Sequence, residues 1–138
     1  MDQSDKVIYT ARTHTIGGRQ GQSRSDDGNL EVRLATPGTH AVGTNPEQLF
    51  AAGWSACFEA AVAEVARARR VKLPDGVTID AEVDLRKGDS SYSIAARLNA
   101  TIPGVDRALA EELLEEADQT CPYSKATRGN IEAVIRLV

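Results

Sequence analysis

Two cysteines, Cys57 and Cys121, are the residues of this chain best suited to covalent chemistry. They stand 64 residues apart, and four of the six aromatics (Phe50, Trp54, Phe58 and Tyr123) fall within a few residues of one or the other. At about 100° per residue, Phe50, Trp54, Cys57 and Phe58 share one stripe of a helix that the pattern predicts from Pro46 to about Arg70. By residue type alone, a cysteine on such a stripe packs as a small hydrophobe. The pair leaves three readings open: a working dithiol, two unrelated core residues, or part of a metal site. Zinc fits poorly, because there is no CxxC and His14 and His40 lack ligand spacing.

A nucleophilic Cys57 needs its pKa lowered. The helix dipole cannot do this, since Cys57 lies about 16 Å beyond the helix start and the dipole acts within the first turn. A free thiol is only a few per cent ionised near neutral pH, and burial reduces that further. One cation 4 Å away contributes about 4 kcal/mol at an effective dielectric of 20, or about three pKa units before desolvation. Arginine suits a buried site, because it keeps its charge. Arg19 is the candidate, flanked by glycines in GGRQG that permit close approach. By local sequence alone it reads first as a solvated turn residue.

The elements that must position these residues follow from periodicity. A strand is expected over residues 6–15, and a short one through Leu30, Val32 and Leu34. TPGTHAVGT is a loop, then Asn45 caps a helix with Pro46 at its first position and Gln48 at the capping-box position. Residues 77–87 and 92–102 alternate in a long hairpin turned at GDSS. A helix capped by Asp106 ends near Cys121–Pro122, and IEAVIRLV closes the chain as a strand. The order ββ-α-ββ-α-β indicates an α+β fold, an antiparallel sheet packed on two helices.

The chain has 138 residues and a net charge of −4, with 41% apolar, 26% charged and 4% aromatic residues. That suits a single domain, 1–138, with one core. No uninterrupted apolar run approaches the ~18 residues of a membrane span. The first residues lack a signal pattern, and two cysteines are too few for a disulfide scaffold, so a cytoplasmic location is expected. The basic stretch ARARR lies at a helix end, where cations offset the dipole, and the acidic balance argues against nucleic acid.

GTNPEQLFAAGWSACF (43–58), CPYSKATRGN (121–130) and the glycine-flanked Arg19 together resemble the organic hydroperoxide resistance proteins, a branch of the superfamily of osmotically inducible protein C. The resemblance covers essentially the whole chain. It implies a thiol peroxidase of the oxidative stress response, active as an intertwined homodimer. It implies that Cys57 is the peroxidatic cysteine, Cys121 the resolving one, Arg19 the holder of the thiolate and Glu47 the carboxylate partner of that arginine. It also implies a redox-active disulfide, no bound cofactor and no metal. Reductant would come from dihydrolipoamide or a lipoylated protein. Phe50, Trp54, Phe58 and Tyr123 would then wall an apolar pocket for alkyl, aryl or lipid hydroperoxides. Trp54 departs from the tyrosine more usual in the family, and the loop at 36–44 is shorter and less glycine-rich.

Glu47 and Cys57 are about 15 Å apart along a continuous helix. One guanidinium can serve both only if the helix breaks near Gly53 or if two chains contribute. Other readings are the osmotically inducible branch with another peroxide preference, and a non-catalytic redox-sensing or ligand-binding dimer. A glutaredoxin, suggested by CPYS, would need its cysteine at a helix start after an N-terminal strand.

Overall fold

The computed structural model describes residues 5–138 and divides into two compact units, the first ending at Pro46 and the second running from Glu47 to Val138.

The first unit is a three-stranded antiparallel sheet, β1 (Thr13–Ile16), β2 (Gln22–Ser25) and β3 (Glu31–Arg33), in that spatial order. The strand expected over 6–15 is therefore shorter and later. Its earlier residues have Thr, Val, Ile and Tyr but pair with nothing in regular structure. β2 is an additional strand, sequence QSRS, whose polar composition carries no apolar alternation. The β2–β3 turn is built by Asp27, whose carboxylate accepts from Ser25 Oγ and the Asn29 backbone. An isolated parallel bridge joins Leu34 to Thr44, so the 36–44 loop returns to the sheet.

All but the first residue of α1 (Pro46–Ala68) belongs to the second unit, and the helix is continuous through Gly53. This removes the option of a helix broken at that glycine; one glycine costs about 1 kcal/mol, well within what a packed 23-residue helix absorbs. The helix stops at Ala68, slightly before the expected Arg70. Among the described residues it is also the one helix long and apolar enough to span a membrane by length and composition, with mean hydropathy 1.3. Glu59 and Glu64 interrupt its apolar run. Its stripe of Trp54, Phe58, Ala61, Val62, Val65 and Ala66 is buried in the core of this unit.

β4 (Thr78–Lys87) and β5 (Tyr92–Thr101) form the long antiparallel hairpin in the expected register, closed by the Gly88 N–H donating to the Ser91 carbonyl. Ala96, Leu98 and Ala100 of β5 are buried against α1, α2 and their neighbours, while the polar face stays wet. There Arg97 donates to both carboxylate oxygens of Asp84 and also pairs with Glu82. Asp106 caps α2 (Arg107–Thr120), accepting from the Leu109 N–H at 3.3 Å. A third helix, α3 (Pro122–Thr127), follows directly. β6 (Glu132–Leu137) then pairs with β5 in parallel, with Leu98 opposite Ile135.

The α+β class stands, with two corrections. Among the described residues there are three α-helices rather than two, and the second sheet is mixed rather than antiparallel. The parallel pairing follows from topology: α2 and α3 form a crossover between β5 and β6, which carries the chain back to start β6 in the same direction.

Candidate active site

α2 and α3 share a single residue at their junction, and that residue is Cys121. Its backbone N–H closes α2 on the Ala117 carbonyl at 2.8 Å, and its carbonyl opens α3 by accepting from Lys125 at 3.0 Å. With φ −64° and ψ 123° it is extended between the two helices, as expected of a residue preceding proline. Pro122 occupies the first position of α3, where its missing N–H leaves no partner wanting. Cys121 is fully buried.

Cys57 projects from the middle of α1 and is half-buried beside the same core. The two thiols are close enough to act on each other's titration, although 64 residues separate them in sequence. Both are free thiols. Burial pushes the Cys57 thiol above its ordinary pKa, and the hydrogen bond and charge of Cys121 push it further the same way. Hydrogen bonding from the Tyr123 backbone acts in the opposite direction and favours the thiolate. Within the second unit, then, the net shift of the Cys57 pKa is upward. A thiolate needs a cation beyond these neighbours.

The aromatics divide in two. Trp54 and Phe58 are 1% and 0% exposed and belong to the core. Phe50 is half-buried and Tyr123 is 38% exposed. Phe50 meets Trp54 edge-on at 5.6 Å and Tyr123 at a tilt, 6.2 Å between ring centres. So of the four aromatics expected to line a pocket, Phe50 and Tyr123 reach the surface, and Trp54 and Phe58 support them from below.

Glu47 lies in the first turn of α1, where a carboxylate favours the helix N-terminus, and is ten residues from Cys57 on the same unbroken helix. Arg19 belongs to the first unit, in a one-turn 3₁₀ segment over Gly18–Gln20. Gly17 and Gly18 there have φ of 79° and 56°. A side chain on Gly21 would strike the Ile16 carbonyl, so glycine is required for the strands to leave this turn side by side. The glycines around Arg19 thus serve the turn's own geometry.

No group of three or more His, Cys, Asp or Glu suited to a metal occurs among the described residues. The sequence reading missed Ser124, which accepts a hydrogen bond from the buried Trp54 indole at 3.2 Å. Its signal was present, a serine three residues after Cys121, but the unexpected helix α3 is what turns it inward.

A model of the OsmC-like protein family matches residues 38–136. The organic hydroperoxide resistance protein of Xanthomonas axonopodis pv. citri is 43% identical over 141 residues, spanning 99% of each chain. This chain belongs to the OsmC-like family, in its organic hydroperoxide resistance branch. The fold agrees with that placement. The crystal structure of the organic hydroperoxide resistance protein OhrB of Bacillus subtilis matches with a TM-score of 0.90 at 39% identity, covering 96% of this chain and 100% of that one. A Vibrio cholerae structure described as a putative organic hydroperoxide resistance protein, with captopril in one active site, matches with a TM-score of 0.92 at 33% identity, covering 99% and 96%. The α1 helix and the α2–α3 junction that carry the two cysteines of this OsmC-like chain lie wholly within the family match.

Proposed function

We propose that this chain, acting as one functional domain over 1–138, is a cysteine-based thiol peroxidase that reduces organic hydroperoxides to alcohols. The observation that carries the reading is the pairing of the Cys57 and Cys121 thiols as neighbours within the second unit. The names of its relatives, organic hydroperoxide resistance proteins at 40–43% identity, point to the same class of substrate.

The Cys57 thiolate attacks the distal peroxide oxygen. An S–O bond forms, the O–O bond breaks, and the alkoxide leaves and takes a proton as the alcohol. Cys57 is then a sulfenic acid. The Cys121 sulfur attacks the Cys57 sulfur, the S–O bond breaks, and hydroxide leaves with the remaining thiol proton as water. The product is the Cys57–Cys121 disulfide. A dihydrolipoyl dithiol reduces it by two exchange steps and becomes a cyclic disulfide itself. The chain then needs no bound cofactor.

Arg19 is assigned the thiolate-stabilising role that burial makes necessary. The continuity of α1 supports a homodimeric site, since Glu47 and Cys57 of one helix are about 15 Å apart along its axis. Residues Val7, Ile8, Tyr9 and Val42 of the first unit are 83%, 95%, 75% and 86% exposed. Such apolar exposure is what a second copy of the chain would cover. Phe50 and Tyr123 are the surface aromatics beside the thiols, and an apolar tail laid on them gains roughly 0.8 kcal/mol per buried CH₂. That favours alkyl, aryl and lipid hydroperoxides over hydrogen peroxide.

Turnover of cumene hydroperoxide with dihydrolipoamide tests this reading in the wild type and in Cys57→Ser and Cys121→Ser. Cys57→Ser should be inactive, and Cys121→Ser should complete one turnover and then overoxidise. Full activity in Cys57→Ser would refute the assignment.

A further inference from the structure

Cys121 is held in place from two directions. At the far end of α3, Arg128 donates to the Asp118 carbonyl at 2.6 Å and pairs with its carboxylate, tying α3 to α2. At the near end the tie is to α1, through two adjacent residues. The Tyr123 ring lies over Gly53, so closely that a Cβ there would sit 2.7 Å from the Tyr123 hydroxyl. One residue further along each helix, the Trp54 Nε1–H donates to Ser124 Oγ. Both of these residues are buried, at 1% and 2% exposure. Behind the pair lies a cavity of about 220 Å³ lined by Trp54, Ser124, Thr127 and Ile131, so α3 is not wedged from that side. The hydrogen bond and the glycine notch, with the Phe50–Tyr123 ring contact beside them, tie the start of α3 to the helix carrying Cys57.

We propose that the Trp54–Ser124 hydrogen bond and the Gly53 notch form a positioning latch that keeps Cys121 at the Cys57 sulfur and so sets the rate of disulfide closure. The inference rests on the thiol-peroxidase reading and adds positioning residues to it. The chemistry that needs such a latch is a race. Once Cys57 is a sulfenic acid, a second hydroperoxide can oxidise it to the sulfinic acid, or Cys121 can displace hydroxide and close the disulfide. Closure is intramolecular, so its rate depends on how much of the time the two sulfurs are within reach. The latch also fixes the Tyr123 backbone, which acts on Cys57 to favour the thiolate. The tryptophan carries a specific consequence: a buried indole has one donor and no acceptor, so its partner must be an acceptor such as the Ser124 hydroxyl.

The test follows both steps after mixing with cumene hydroperoxide, by rapid quench and mass measurement. In Ser124→Ala, oxidation of Cys57 should proceed at the wild-type rate. Disulfide closure should slow about five-fold, the factor that one buried hydrogen bond carries. The sulfinic acid fraction at high hydroperoxide should rise by the same factor. Trp54→Phe should slow closure similarly. Gly53→Ala should slow it independently, and Gly53→Ala with Tyr123→Phe should recover part of the loss by removing the hydroxyl that the new methyl meets. A change in thermal stability with no change in the closure-to-overoxidation ratio would make these residues merely structural. Closure in Ser124→Ala and Trp54→Phe within twofold of wild type would overturn the latch alone. A wild type that forms no disulfide would overturn the peroxidase reading and the latch together.

Discussion

The two units of this chain are built on different terms. The second unit buries a continuous core in which Phe58, Val62, Leu98 and Leu113 are fully inaccessible. Among the described apolar residues of the first unit only Leu34 and Ala35 are buried, and Ile8, Tyr9, Ile16 and Val42 are open. The difference separates two jobs. The thiols sit in the unit whose packing can hold two sulfurs together. The cation proposed to activate them sits in the unit with little core of its own, on a turn shaped by glycines. The proposed thiol chemistry thus has its two cysteines in the well-packed unit, and its proposed cation in the sheet with little core.

Phe58→Ala should give the largest effect on this contrast. Emptying a fully buried aromatic site in the second unit costs about 3–5 kcal/mol, read as a lower urea midpoint, whereas Ile16→Ala in the first unit should change it by under about 0.5 kcal/mol. Equal losses would erase the distinction. Arg19→Ala comes next. Without its charge, Cys57 is left with the burial and the Cys121 neighbour that raise its pKa. The iodoacetamide alkylation profile should move to higher pH, and hydroperoxide reduction near neutral pH should fall by about 100-fold. An unmoved profile would assign activation to another group.

Ile8→Asp should weaken self-association about ten-fold by sedimentation if a second copy covers the first unit's apolar face. Unchanged association would place the partner elsewhere. The smallest effect belongs to the wet face of the second sheet. Arg97 holds the Asp84 carboxyl below the usual carboxylate range. Its folded pKa is depressed, so its contribution is present above about pH 4 and fades as pH falls through the lowered value. Arg97→Met should therefore lower the urea midpoint slightly at pH 7 and less at pH 3. A large loss at pH 7 would mean that this exposed network supports the second unit after all.

The legibility of the sequence followed the same division. The hairpin was readable because Val77 to Ile102 alternate with polar residues on a sheet with one wet face. The helix from Pro46 was readable from its cap and stripe, and Asp106 from its position before α2. The direction of β6 was not, because strand pairing depends on the crossover and not on local pattern. α3 was hidden because six residues are too few to show a period. In the first unit β2 was missed and β1 overextended, since a nearly coreless sheet leaves no strict apolar alternation to read. At the site, the cysteines and their aromatics were visible as a cluster, but which aromatics face outward was not. Trp54 and Phe58 share a stripe with Phe50, and the packing of the core on Phe58 and of α3 on Trp54 decides which are covered.

The claim on which the rest depends is that the second unit holds a dithiol ready to close. One equivalent of cumene hydroperoxide, added to the reduced protein and followed by peptide mapping without reduction, tests it most directly. A Cys57–Cys121 disulfide within each chain should form in step with one equivalent of cumyl alcohol. Cys57 recovered as a sulfinic acid with Cys121 still a free thiol, or both thiols recovered unreacted, would contradict it.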